Sequence, residues 1–253
     1  MHDNKMRTEI LTIDKGQCLT DVLPAIPANT IFDKTITGCG ATHSEIVNAA
    51  RHSIIIEPNI PVILGKKAEH PFLFAVYEGI TKEDVKAYLA GEHDGYRKII
   101  TTPEGFDKKV LPAMHELEIP VYKDYFLLFD ECEKAIQDVG YRGDIYLPVE
   151  DFFKFENKAM VSATPIVPSD PRFEENGFKI LKLVPTYDSR IELTLCTTNN
   201  TVAVMRKLLK RLENETVCVF LNSTETILSL IYALGLQGRS RVFCSEKSVR
   251  KLK

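Results

Sequence analysis

At 253 residues, with 44% hydrophobic and 26% charged side chains, the chain is long enough to bury a substantial core, and its 13 glycines and 13 prolines exclude a fibrous or wholly disordered protein. A formal net charge of −3 and a pI of about 6.1 exclude a global positive field, so any nucleic acid must be held by a local surface. The six cysteines show no C-x-x-C pair, and no apolar run reaches membrane-spanning length. The expectation is therefore a cytoplasmic protein with buried free thiols, neither exported nor inserted in a membrane.

Strand–helix alternation begins at Asn29. Expected strands are Thr30–Lys34, Ser53–Glu57, Phe72–Val76, Lys98–Thr101, Tyr125–Asp130, Ala159–Ser162 and Lys179–Leu183. Several are apolar throughout (SIIIE, FLLFD), as strands covered on both faces are. Between them, Ser44–Ala50 reads as a helical run, and Thr81 with Glu83 and Asp84 opens a helix through Leu89, with its carboxylates at the positive end of the helix dipole. Phe106–Leu117 reads as another helix, kinked or broken at Pro112. Such alternation predicts an α/β fold with a mostly parallel sheet flanked by helices. Thr194–Asn200 is the expected boundary, dividing a domain of residues 1–196 from a shorter stretch, 197–253. The latter opens with an amphipathic helix carrying Val202, Met205, Leu208, Leu209 and Leu212 on one stripe. A strand at Val217–Leu221, a helix at Glu225–Leu234 and a strand at Arg241–Phe243 are expected after it.

Three segments carry chemistry. The first runs Thr35-Ile-Thr-Gly38-Cys39-Gly40-Ala41-Thr42-His43, between a strand and a helix. A loop that curls its N–H groups round phosphate needs glycines, a helix N-terminus behind it and a hydroxyl for magnesium, and Gly38, Gly40 and Thr42 fit that frame. A ligand-free glycine-rich turn would look the same. The second is Phe126–Glu133, an apolar strand ending in carboxylates at the edge where open α/β sheets bind ligands. There Asp130 can hold Mg²⁺ and Glu131 can orient and deprotonate a water in phosphoryl transfer, the alternative being a solvated acidic loop. The third is Met160-Val-Ser162-Ala163-Thr164-Pro165, a strand ending in small hydroxylated residues.

Taken in order, these segments resemble the motif set of superfamily 2 (DExx-box) helicases. GCGAT is similar to the phosphate-binding Walker A loop, FDECE to the DExx box, and VSATP to the S-A-T motif that couples the two. Pro58-Asn59 and Thr101-Thr102-Pro103 resemble the loops that in this superfamily contact the nucleic-acid backbone. The stretch Val217–Ser223 resembles the opening strand of a second motor domain. The resemblance covers about residues 29–235. It implies a RecA-like P-loop NTPase fold, ATP and Mg²⁺ as ligands, DNA or RNA as partner through backbone contacts, and a truncated second domain whose remainder, with its arginine fingers, lies past Lys253. In that frame Gly38 to His43 bind nucleotide, Thr42 and Asp130 hold the metal, Glu131 is catalytic, and Ser162 to Thr164 couple the motifs. Glu133 is a further coupling candidate. Gln237–Arg241, although similar to an arginine-finger motif, comes too early and reads as a basic turn.

One departure bears on activity. Ala41 stands where the superfamily has its phosphate-binding lysine, a loss on the order of a hundredfold in rate. Lys34 is a candidate substitute, but strand geometry points it elsewhere, and Lys66 and Lys67 are expected in solvent. Two readings follow: an ATP-dependent helicase or translocase, or a catalytically degenerate helicase-fold module acting as a nucleic-acid-binding or scaffolding protein. An unrelated P-loop enzyme such as a small kinase would leave the S-A-T segment unexplained.

Overall fold

The computed structural model describes residues 6–132, 149–165, 170–190, 192–212 and 214–244. These fall into two compact units, Met1–Arg190 and Ile191–Lys253, so the division comes a few residues before the Thr194–Asn200 stretch expected to carry it.

The first unit is built on one eight-stranded, wholly parallel sheet: β1 (Thr8–Ile13), β2 (Thr30–Asp33), β3 (His52–Ile56), β4 (Phe74–Val76), β5 (Lys98–Thr101), β6 (Tyr125–Asp130), β7 (Asn157–Ser162) and β8 (Lys179–Pro185), in the order β1-β8-β2-β7-β6-β3-β5-β4. Successive residues of the central strands alternate between two apolar clusters. Ile31, Ile54, Ile56, Leu127 and Phe129 enter one, and Phe32, Ile55, Phe126 and Leu128 enter the other. A strand buried on both faces has no polar alternation to show, which is why SIII and FLLF read as continuous apolar runs. The first cluster is closed by α4 (Lys82–Ala90), α6 (Leu111–Glu116), α8 (Val149–Lys154) and α9 (Pro171–Glu175). The second is closed by α1 (Leu19–Val22), α2 (Ala41–Ile46) and α3 (Ile60–Glu69).

Local chemistry sets the element ends. Thr81 caps α4 by accepting from the Asp84 N–H at 3.1 Å, while Asp84 accepts from the Thr81 N–H at 2.8 Å, a reciprocal pair that satisfies two otherwise orphaned donors. After β5 the chain turns through α5 (Pro103–Gly105) into a π-helical turn, Phe106–Val110, before α6. Pro112 sits at the start of α6 and has no N–H to give the preceding turn. The helix widens there, the Leu111 N–H reaching back five residues to the Phe106 carbonyl. The expected break at Pro112 is thus a π turn. A short helix, α7 (Val121–Asp124), leads directly into β6. Gly105 is packed so closely that an added Cβ would lie 2.5 Å from the Thr101 Oγ1 and 3.2 Å from the Val76 carbonyl, so only glycine fits.

The second unit holds two helices among its described residues, α10 (Thr201–Arg211) and α11 (Thr224–Ala233), both capped at their amino ends by side chains, Asn200 and Ser223. The strands expected at Val217–Leu221 and Arg241–Phe243 are not formed. A strand exists only against a partner that takes its N–H and C=O groups, and no described segment of this unit pairs with either. Their apolar side chains stand in solvent, Phe220 93% and Phe243 91% exposed. Gln237–Arg239 form a turn, with the Arg239 N–H donating to the Leu236 carbonyl at 2.9 Å. No helix of the described residues is long and apolar enough to cross a membrane. Of the six cysteines only Cys39 and Cys132 are buried, and the other four are exposed, correcting the expectation of buried thiols. Cys196, Cys218 and Cys244 lie in the second unit, which buries few side chains.

Candidate active site

The parallel sheet brings the carboxyl ends of β2, β7 and β6 side by side, so the loop after β2, the Asp130-Glu131 pair and Ser162 meet at one edge. The ladder itself joins them: Asp33 is in register with Ser162, and the Lys34 N–H donates to the Ser162 carbonyl at 2.9 Å. Ser162 is fully buried and its hydroxyl oxygen accepts from the Thr164 N–H at 2.9 Å, fixing the turn through Ala163. Glu133 lies outside the described residues.

The loop from Thr35 to Gly40 is shaped by left-handed residues. Thr35 has φ +42°, Gly38 +75° and Gly40 +86°, and an added Cβ at either glycine would meet nothing within 4 Å, so the loop presents bare backbone beside open space. The Cys39 carbonyl accepts from the Leu19 N–H at 2.8 Å, tying the loop to α1, and burial pushes the Cys39 thiol above its ordinary range. Ala41 begins α2 with its methyl in the apolar cluster beneath. Thr42 follows it and donates its hydroxyl to the Asp130 Oδ2, a bond between residues 88 apart in sequence. His43 turns to His70 instead, Nδ1 to Nε2 at 3.2 Å. Burial, and then the neighbouring His43, hold the His70 imidazole below its usual range.

Asp130, 2% exposed, also accepts the Glu131 N–H at 3.0 Å and lies 3.4 Å from the Lys34 ammonium, which sits 2.6 Å from the Glu131 Oε1. Lys34 is therefore at the centre of the site, where strand alternation did not place it. The strand ends at Asp33 and Thr35 is left-handed, so Lys34 is off the pleat and its side chain is free to cross to β6. Burial alone would lower its pKa. The Asp130 charge and the hydrogen bond to Glu131 outweigh it and hold the ammonium above its ordinary value. Glu131 has φ +49°, a conformation uncommon for a residue with a Cβ and concentrated at functional sites.

A second acid escaped the sequence reading. Glu57, directly after β3, is buried, with its Oε1 accepting from the Asn59 N–H at 2.8 Å and the Asn59 side-chain amide at 2.7 Å. Burial, then the Asp130 charge, pushes its pKa up to about 7. Its sequence signal is an acid closing an all-apolar strand, directly before Pro58 and Asn59. In the unfolded chain Glu57 loses its proton near 4.5, so between 4.5 and about 7 the folded state binds the extra proton, and stability falls as pH rises through that window. Glu57→Gln is expected to remove that slope and to raise the unfolding free energy at pH 8.5 by about 1–3 kcal/mol. Urea unfolding of both proteins at pH 5.5 and 8.5 checks it, and a gap that stays constant between the two pH values refutes the assignment.

The loops taken as nucleic-acid contacts lie on the same edge, but their side chains are used internally. Thr101, Thr102 and Pro103 are buried. The Thr101 hydroxyl donates to the Thr102 carbonyl, and Thr102 accepts the Gly105 N–H at 3.0 Å. Asn59 is engaged by Glu57, and only Pro58 and Asn59 of this set are partly exposed. An open recess around Gly91–Arg97 lies at the amino end of β5, the opposite edge, and gathers none of these groups.

Whether magnesium suits the edge is decided by its donors. Among the described residues no three His, Cys, Asp or Glu side chains converge to hold a metal alone. Mg²⁺ in nucleotide sites takes one or two protein oxygens and completes its shell with phosphate and water, and Thr42 with Asp130 is such a pair. The residues fit.

No protein-family model and no curated protein matches the sequence. Two solved helicase structures match the chain, the first of them with a similar fold. The crystal structure of the DUF1998 helicase MrfA covers 88% of this chain with a TM-score of 0.55 at 14% identity. The chain spans 39% of MrfA. The crystal structure of the Pyrococcus furiosus Hef helicase domain covers 93% of this chain at 13% identity with a TM-score of 0.39, the match taking in 51% of that chain. The single parallel sheet flanked by helices and the likeness to MrfA make this a helicase-like α/β fold.

Proposed function

We propose that the first unit is the nucleotide-binding half of an ATP-dependent nucleic-acid motor of the DExx helicase type, a cytoplasmic protein. The observation that carries this reading is the Thr42 hydroxyl donated to Asp130, which brings together a glycine-rich loop and a strand-end acid at the carboxyl edge of a parallel sheet. Gly38 and Gly40 hold the loop open so that its backbone borders the phosphates, and Thr42 and Asp130 take the metal. Bound Mg²⁺ would neutralise charge on the phosphate oxygens. Glu131 orients a water for attack on the terminal phosphorus and accepts its proton. The phosphorus–bridging oxygen bond breaks, and ADP and phosphate leave. Ser162, joined to the loop through the Lys34 N–H, links the two motifs. DNA or RNA is the proposed partner, reached through backbone at Pro58 and Asn59, since the Thr101–Pro103 side chains are buried.

One observation favours a second reading, a degenerate module that binds nucleic acid or partner proteins without hydrolysis: Ala41 packs into the core where a cation is required. Calorimetric titration with ATP separates the two. A motor half is expected to bind ATP with micromolar affinity in magnesium and at least about tenfold more weakly in EDTA. No heat of binding from a chain shown to be folded by circular dichroism would leave the module reading in its place.

A further inference from the structure

We propose that Lys34 supplies the cation that grips the terminal phosphates of the nucleotide, from the strand end of the loop rather than from position 41. The inference rests on the nucleotide-binding reading above and names the residue that makes it workable despite Ala41.

Lys34 and Ala41 are the two ends of one loop. At the far end the Ala41 methyl is packed in apolar surroundings. At the near end the Lys34 stem is buried, the residue 8% exposed, and its ammonium reaches Asp130 Oδ1 while Thr42 fills Oδ2 of the same carboxylate. The ammonium and the metal-binding hydroxyl thus flank one acid, the placement a phosphate-binding cation needs if it and the metal are to share a polyphosphate. An ammonium carries three donors, and two are spent on Asp130 and Glu131, leaving one for phosphate. A flexible four-carbon stem can then pass the Glu131 donor to a second phosphate oxygen.

A structural alternative exists: Lys34 could simply neutralise the buried Asp130 and the half-buried Glu131 beside it. The two roles differ in how the loss of charge scales with phosphate count. Lys34→Gln is expected to weaken Mg·ATP by about tenfold to a hundredfold, Mg·ADP by less, and AMP not at all, while Lys34→Arg keeps most of the affinity. In the wild-type chain, labelled with ¹⁵N at the lysine Nζ and assigned with Lys34→Arg, the Lys34 resonance is expected to move on adding Mg·ATP and to stay on adding AMP. This readout needs neither turnover nor a charge-deleted variant that folds. Wild-type binding of Mg·ATP with Lys34→Gln equal to it, a loss of the same factor for all three nucleotides, or an unmoved Nζ signal at saturating Mg·ATP each overturns the role of Lys34 alone. No magnesium-dependent binding by the wild type overturns the nucleotide reading and this inference together.

Discussion

Asp130→Ala is expected to reduce magnesium-dependent ATP binding by about a hundredfold or more while leaving the fold intact. Three contacts end on this one carboxylate: the Thr42 hydroxyl, the Glu131 N–H and the Lys34 ammonium. Its removal takes away the acid that accepts the loop hydroxyl of Thr42. The stability cost is small for a buried acid because two terms oppose. Lys34 keeps Glu131 at 2.6 Å, so no cation is left unpaired, and Glu57 loses the neighbouring charge that helps push its pKa up. The expected melting temperature lies within a few degrees of wild type, roughly 1 kcal/mol. Calorimetry and thermal unfolding on the same sample check both halves. Binding within threefold of wild type would remove Asp130 from the site.

The largest stability effect is expected at a different cluster, on the amino side of β3. Glu45 of α2 is fully buried and takes two hydrogen bonds from the Arg51 guanidinium, at 2.5 and 3.1 Å, and one from the Ser53 hydroxyl at 2.5 Å. Lys98, 3% exposed, lies 3.6 Å away and donates to Ser53 at 2.8 Å, while the Arg51 guanidinium stacks 3.4 Å over the Phe126 ring. Burial already pulls the Lys98 pKa down to about 8, with Glu45 the nearest opposing charge. Glu45→Ala leaves the buried Lys98 and the half-buried Arg51 without their anion and is expected to lower the unfolding free energy by about 3–5 kcal/mol. A lysine with a depressed pKa makes the folded state bind fewer protons than the unfolded one, so stability rises with pH between the two pKa values. The variant lowers the Lys98 pKa further, and the deficit is therefore expected to narrow as pH rises from 7 to 10. Urea unfolding across that range measures it, and a loss under about 1 kcal/mol at pH 7 would show that the cluster is not coupled as its geometry indicates.

Much of the first unit could be read in advance because its strands are apolar on both faces and its turns carry glycine, proline and acids at their ends. SIII, FLLF and the Thr81–Asp84 cap announce their elements locally. β1 is harder to read: its burial alternates along an edge strand of mixed polar and apolar residues, TEILTI. Strand alternation does not extend to Lys34, one residue past the end of β2, and the left-handed Thr35 that follows it is not a residue type that advertises a positive φ. The burial of Thr101 and Thr102 is likewise a tertiary matter, since a hydroxyl that caps a helix and one that meets solvent look alike in sequence. Val217–Leu221 shows the converse: a good strand pattern forms no strand where no described segment pairs with it.

The pairing of β1 with β8 also sets an order on how the chain is made. Asp14 and Thr186, joined across the ends of those strands, are 172 residues apart. At ordinary ribosomal speed β1 waits on the order of ten seconds or more for its partner β8, while β2 can gain β7 first. β1, although made early, is thus among the last strands to join the sheet, and a nascent chain halted before residue 180 must keep a six-residue strand from other exposed edges until synthesis resumes.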